Sequence, residues 1–467
     1  MTMTKEELPD LSWLEAYRTD SPNFGLERME RMLALRGNPH LQLSVIHIGG
    51  TNGKGSTIAH LRQLLEIRGL RVGTFTSPYL ISYNEQIAIN GRSIPNQDLS
   101  RLLETYHALF EEQANDEVLQ GVTEFEIMTA LAYDYLAQER VDVAIMEVGM
   151  GGLLDSTNVC RPDLTAITTI GLDHVALLGH SLAAIAEQKA GIIKPNVPLV
   201  TGRIEPEALA VIEERTHQKQ APHYVYGQSY QVQSLGGTDS GEHFSFSNAH
   251  REAEPYLTTL LGQHQVDNAG LAIELCDLYC QSKQLPLLTK EQVGAALVAT
   301  SWPGRMEQIS HQPRILLDGA HNPHAMERLT RTLSQHYPDL DKKILFSCIQ
   351  TKSLEEMVGQ LKQVPKSQLI LTNFADPRSF SKEKMEELAC EQGLNYADWQ
   401  GFLEAYLKAE HESDELLLIT GSLYFLAQVR KSILENRKLN FAERPSQSSQ
   451  LSKNKNEHRS IYGHEEN

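Results

Sequence analysis

Short apolar runs alternate along this chain with stretches in which apolar residues recur every three or four positions. The runs, bounded by turn-formers, predict buried strands, and the 3.6-residue recurrence predicts amphipathic helices. In the first part the predicted strands are 43–48, 72–76, 143–148, 164–170 and 198–201. Helices are predicted at 55–67, 123–138, 181–192 and 265–279. Such alternation specifies a mostly parallel sheet with helices packed on it. Residues 224–246 alternate more and are punctuated by Gly and Ser, so a small antiparallel insert is expected there. The pattern breaks at Ser301-Trp302-Pro303-Gly304-Arg305, and a second α/β series follows with strands at 314–317, 343–348, 368–372 and 415–420.

The expected architecture is therefore α/β throughout. A P-loop-containing, mostly parallel N-terminal domain (1–300) precedes a second, smaller, Rossmann-like C-terminal domain (301–439) and a polar tail (440–467). At 467 residues, two domains are the default. The tail is rich in Ser, Asn, Lys and Glu, a composition expected to stay disordered.

One junction carries the most chemistry. The run 43–48 leads into Gly49-Gly50-Thr51-Asn52-Gly53-Lys54-Gly55-Ser56-Thr57, and a helical pattern begins there with Ile58, Leu61, Leu64, Leu65 and Ile67 on its apolar face. In a strand–glycine loop–helix unit, backbone N–H groups and the helix N-terminus converge on an anion. Lys54 then reaches the β/γ-phosphates, and a hydroxyl from Ser56 or Thr57 reaches Mg²⁺. The loop departs from G-x-x-x-x-G-K-[ST], because Gly55 separates Lys54 from Ser56. ATP is the expected ligand.

Composition narrows the options. A net charge of −18 and a pI near 5.5 argue against a nucleic-acid-binding face. Positive charge for ATP must then be concentrated locally. The acidic N-terminus does not read as a signal peptide, and no apolar run approaches a membrane span, so a cytoplasmic protein is expected. Five scattered cysteines fit reduced thiols, and Cys276 and Cys280, one helical turn apart, read as packing.

Further clusters accompany the loop. Glu124-Phe125-Glu126 opens a helix, where a carboxylate ordinarily compensates the dipole. The segment Glu147-Val148-Gly149-Met150-Gly151-Gly152-Leu153-Leu154-Asp155-Ser156-Thr157-Asn158 follows a strand end, where open α/β sheets bind ligands. Gly171-Leu172-Asp173-His174 follows another strand, and Lys189 lies on the next helix. Gln265 to Ala269, with Asn268, opens a helix. Asp318-Gly319-Ala320-His321-Asn322-Pro323 ends a strand of the second series, and Gly421-Ser422 ends the last one.

The loop resembles the ATP loop of the Mur-ligase superfamily, and its inserted Gly55 resembles folylpolyglutamate synthase/dihydrofolate synthase. The segment from Glu147 is similar to that family's E-x-G-x-G-G-x-x-D signature, with Leu153 where Arg or Lys is common. The resemblance spans about residues 20–435 and implies an ATP-dependent ligase adding L-glutamate to reduced folates and to dihydropteroate through an acyl phosphate. It implies nucleotide contacts at Gly50 to Thr57, Asn268, Arg305 and Asp318, and catalytic roles for Lys54, Lys189, Arg305 and His321. Metal ligation falls to Ser56, Glu126, His174 and a carbamylated Lys189, with two Mg²⁺ ions. Substrate contacts fall to Ser77, Pro78, Tyr79, Asp155 and Ser422. Tyr79 and Gln86 stand where His and Arg are common. A monomer acting on small molecules, with no nucleic acid or membrane partner, is expected from the same resemblance. The rival readings are a Mur-type ligase using a UDP-linked precursor and a non-catalytic nucleotide switch. Gly55, the Glu147–Asn158 segment and the lack of an obvious UDP-binding domain before the loop disfavour the first. The many site-like residues of the second series disfavour the second.

Overall fold

The structure, a computed structural model, describes residues 8–442 apart from 20–22, 239, 351–352 and 413. The predicted polar tail lies, from residue 443 onward, outside the described residues. Three sheets organise the described residues. The first has eight strands in the order Arg92–Ser93, Ile87–Ile89, Val72–Phe75, Val143–Glu147, Val45–Gly49, Leu164–Ile167, Leu199–Thr201 and His223–Val225. It is parallel from Val72–Phe75 to His223–Val225, and the two short edge strands run antiparallel.

Strand alternation explains why this sheet is covered on both faces. Ile46, Ile48, Val143, Ile145, Leu164 and Ala166 pack on one side with Ile58, Leu61, Leu64 and Leu65 of helix Lys54–Ile67. Val45, Phe75, Ala144 and Met146 pack on the other with helices Asn96–Glu112 and Glu124–Gln138. Successive side chains point to opposite faces, so continuous apolar strands suit a two-sided sheet.

The antiparallel insert is shifted from where the pattern placed it. Tyr224 belongs to the eighth strand of the first sheet, and the three-stranded meander runs Tyr230–Thr238, Gly241–Asn248 and Arg251–Thr258. Its Phe244, Phe246 and Tyr256 join the core built on helix Gln263–Ser282. Residues 168–170 continue past strand Leu164–Ile167 as loop and reach the glycine loop instead of extending the sheet.

The third sheet has the order Glu307–His311, Arg314–Asp318, Glu415–Thr420, Asp341–Phe346, Ser367–Leu371 and Asn395–Tyr396. All neighbours are parallel except the first hairpin. Its two edge strands are short or half-exposed and carry weak periodicity, which is why the sequence pattern missed them. Among the described residues no helix is long and apolar enough to cross a membrane.

Candidate active site

The glycine loop closes strand Val45–Gly49 and starts helix Lys54–Ile67. Its tight course is fixed by close neighbours. Gly50 has φ +135°, and a Cβ there would lie 2.0 Å from Thr168 Oγ1 and 2.9 Å from the Thr168 nitrogen. Thr168 Oγ1 donates to the Asn52 carbonyl at 2.7 Å, and the Asn52 N–H donates to Thr169 Oγ1 at 3.1 Å. The inserted Gly55 has an equally direct reason. A Cβ there would meet the indole of Trp302 at 2.8 Å, so the linker between the two large sheets rests on the start of this helix.

A cleft forms around the loop. Gly50, Thr51, Asn52, Gly53, Lys54, Gly55 and Ser56 line one wall. Ser77, Pro78 and His174 come from loops that follow other strands of the same sheet, Lys189 comes from helix Leu182–Ala190, and Asn268 comes from the helix Gln263–Ser282. Arg305, Asp318 and His321 reach it from the linker and the third sheet. Thr57 is not among these residues. It is fully buried, its Oγ1 has no hydrogen-bond partner, and it points into the fold, which leaves Ser56 as the loop hydroxyl at the cleft.

Glu126 is also elsewhere. It forms a capping box with Thr123, whose N–H and hydroxyl each donate to Glu126 Oε2 at 2.9 Å. Its other oxygen pairs with Arg28 Nε at 2.8 Å, and the side chain is 1% exposed. Both oxygens are committed to holding the helix start, so the metal ligand expected here is not brought to the cleft. The carboxylate that does reach the cleft is Glu147. It is the last residue of strand Val143–Glu147, lines the cleft and accepts the Ser77 N–H at 3.2 Å. Burial raises its pKa, opposed by Lys54, the Ser77 N–H and Arg305. The signal was present in the sequence, since a carboxylate ending a parallel strand sits where ligands bind.

Two lysines share one acceptor. Lys54 Nζ donates to the Gly50 carbonyl at 3.1 Å, and Lys189 Nζ donates to the same oxygen at 3.0 Å. Lys189 is buried, and burial followed by the charge of Lys54 pulls its pKa down to about 7. His174 stands at φ +49° and caps the short helix Val175–Leu178. Asp318 is held by the Met306 and Ala320 N–H groups, each at 2.9 Å, and burial raises its pKa. His321 Nδ1 lies 2.8 Å from the Gly319 carbonyl, an acceptor only, so Nδ1 carries the proton and Nε2 is the basic nitrogen. Asn268 donates to Gln265 Oε1 at 3.0 Å beside the loop.

Contacts across the cleft were not legible in the sequence. Asn322 caps helix Pro323–His336 and also donates to Asn52 Oδ1 and Asp173 Oδ2, each at 3.4 Å, while Asn52 Nδ2 lies 3.2 Å from His324 Nδ1. The second large sheet thus touches the glycine loop itself.

The cleft opens into a second cavity of about 420 Å³, and Ser77, Pro78, His174 and His321 border both. Tyr79, Asp155 and Ser422 line the second cavity, as does the buried Gln86, whose Oε1 has no hydrogen-bond partner. Asp155 chiefly shapes its own loop, accepting the Met150 N–H at 2.8 Å and the Thr157 N–H at 3.0 Å. Ser422 accepts the Tyr424 N–H at 3.3 Å. A polar, glycine-walled cleft joined to an aromatic-walled cavity can hold a phosphate donor and an organic acceptor end to end.

Comparison with known proteins agrees with this arrangement. Residues 48–276 match the Mur ligase middle domain, and residues 304–423 match the Mur ligase glutamate ligase domain. The chain is 35% identical over 423 residues to the dihydrofolate synthase/folylpolyglutamate synthase of Bacillus subtilis, covering 90% of this chain and 98% of that protein. It superimposes with a TM-score of 0.79 on a folylpolyglutamate synthase–AMPPCP–folate complex at 32% identity, covering 91% of this chain and 98% of that one. The Mycobacterium tuberculosis folylpolyglutamate synthase complexed with ADP gives a TM-score of 0.79 at 27% identity, over 90% of this chain and 97% of that one. With one fold, one order of motifs and near-complete coverage, the chain belongs to the folylpolyglutamate synthase/dihydrofolate synthase family of Mur ligases.

Proposed function

We propose that this chain is an ATP-dependent ligase that joins L-glutamate to folates, using tetrahydrofolate-type acceptors and dihydropteroate. The observation that carries this reading is the junction of the two cavities, where the glycine-loop cleft meets the aromatic-walled cavity at Ser77, His174 and His321. A carboxylate on an acceptor seated in the second cavity reaches the phosphate end of a nucleotide seated on the loop.

A free carboxylate resists attack by an amine. Its oxygen therefore attacks the γ-phosphorus of ATP, the bond to the β-phosphate oxygen breaks, and ADP leaves an acyl phosphate. The glutamate amine then attacks the acyl carbon, the C–O bond to phosphate breaks, and the nitrogen loses a proton. Lys54 and Arg305 offset the charge on the transferring phosphoryl group, and the loop amides orient it. His321, which borders both cavities, is the group able to take the ammonium proton. The contacts of Asn322 and His324 with Asn52 keep water out while the acyl phosphate exists.

The donors present fit Mg²⁺. Among the described residues no three His, Cys, Asp or Glu side chains gather to hold an ion unaided. Mg²⁺ characteristically takes only one or two protein oxygens and completes its shell with phosphate and water. Glu147, Ser56 and Ser77 would hold one ion, and His174 with carbamylated Lys189 would hold a second. Bound Mg²⁺ supplies charge neutralisation at the phosphates. A lysine titrating near 7 exposes a neutral amine that can add CO₂, giving an anionic carbamate. We read the protein as a cytoplasmic monomer working on small molecules, with neither nucleic acid nor membrane as partner.

The deciding experiment measures glutamate-dependent ADP release with ATP and Mg²⁺, comparing tetrahydrofolate, dihydropteroate and no acceptor. Release with both acceptors is expected. Release with tetrahydrofolate alone would remove the dihydrofolate synthase activity, and silence with both would overturn the assignment.

A further inference from the structure

The second cavity is divided by where its walls come from. Tyr79, Phe125, Met128 and Leu154 of the N-terminal region give an aromatic and aliphatic side suited to a flat ring. The third sheet contributes Arg378, Ser422 and Tyr424. Arg378 lies between strand Ser367–Leu371 and helix Lys382–Gln392, and Ser422 follows strand Glu415–Thr420. Both strands run parallel to Asp341–Phe346 between them, so both residues sit at the carboxyl edge of the sheet, where α/β folds take ligands.

The Arg378 guanidinium is fixed in advance. Its Nε and Nη2 donate to the two oxygens of Asp376 at 2.9 and 2.7 Å, and its own backbone N–H donates to Asp376 Oδ1 at 2.9 Å. The guanidinium carbon stands 4.0 Å from the centre of the Tyr424 ring. Asp376 engages two of five N–H donors, so the fork keeps donors for a second anion, already oriented by the pair and the stack. Organising a side chain this way lowers the entropy lost when a ligand binds.

We propose that Arg378 reads a carboxylate of the incoming glutamate, seating the amino acid on the third-sheet wall with its amine toward His321. This rests on the ligase reading above and assigns the amino-acid half of its second cavity. Glutamate carries two carboxylates, and the fork suits either, so the test separates them.

Steady-state kinetics on the full chain with saturating ATP, Mg²⁺ and tetrahydrofolate would compare wild type, Arg378→Gln and Arg378→Lys. Each enzyme is offered L-glutamate, L-glutamine (side-chain carboxylate masked) and L-isoglutamine (α-carboxylate masked). Arg378→Gln is expected to raise the glutamate KM about 30-fold or more while kcat and the ATP KM move less than about threefold. Arg378→Lys recovers part of the loss. The masked carboxylate that costs the wild type most, and costs Arg378→Gln nothing further, identifies the group that Arg378 holds. Asp376→Asn, which frees the guanidinium without removing it, gives a smaller rise in the glutamate KM. An unchanged glutamate KM in a folded Arg378→Gln enzyme overturns the inference alone, as does unchanged discrimination among the three amines. Wild type without any glutamate-dependent ADP release overturns the ligase reading and this inference with it.

Discussion

Two buried glutamates, 21 positions apart in sequence, show how differently the same side chain can be used. Glu126, in the first turn of helix Glu124–Gln138, spends both oxygens on Thr123 and Arg28. Glu147, at the end of strand Val143–Glu147, keeps one oxygen on the Ser77 N–H and faces Lys54 and Arg305 across the cleft. The first carboxylate holds a helix start, and the second presents its charge to the cleft. A helix N-terminus satisfies a carboxylate by itself, whereas a parallel strand's carboxyl end delivers it to an open edge.

The largest effect that sharpens this contrast is Glu147→Gln. It should lower kcat/KM for ADP release about 10³-fold, with the melting temperature nearly unchanged, because the carboxylate charge proposed to hold Mg²⁺ is removed without opening a cavity. Equal loss of stability and activity would erase the distinction between the two sites. Glu126→Gln should do the reverse. It removes the negative charge that balances the half-buried Arg28, costing about 3 kcal/mol in urea unfolding while activity per folded molecule stays within about threefold. Loss of Mg²⁺-dependent turnover in a stable Glu126→Gln enzyme would return the metal to that helix.

Lys189 carries the comparison to pH. Its folded pKa of about 7 lies below the ordinary 10.5, so below pH 7 both folded and unfolded states are protonated and burial of the charge counts fully against folding. Between about 7 and 10.5 the unfolded state binds more protons, so stability rises with pH. In CO₂-free buffer, wild type should gain on the order of 2–3 kcal/mol relative to Lys189→Met between pH 7 and 10, read from paired unfolding curves. A flat difference would place the ammonium in water. The smallest effect is expected at Gly55→Ala. The added methyl meets the Trp302 indole and lifts the linker from the loop, raising the ATP KM about tenfold with folding intact. An unchanged KM would mean that the indole moves aside at no cost.

The central strands and the glycine loop were legible because they are local. Apolar runs such as those around Ile46 and Ile145 encode two-sided burial, and Gly50 to Ser56 encode the anion cradle in consecutive residues. Short edge strands, the true span of the meander and the commitment of Glu126 to a cap were not, since each is settled by a partner far away in the chain. Thr57 illustrates the finer limit. One residue past Ser56 on a helix is a rotation of about 100°, enough to turn a hydroxyl from the cleft into the core.

The sequence by itself determined the α/β class, the phosphate loop and the family's order of motifs, because periodicity and contiguous loop chemistry are properties of neighbouring residues. Only the tertiary structure decided which carboxylate faces the cleft, why Gly55 must lack a side chain beside Trp302, and that Arg378 lies in the same cavity as His321. Those are encounters between segments separated by tens to hundreds of residues, and the relative placement of sheets, which no local pattern encodes, brings them together.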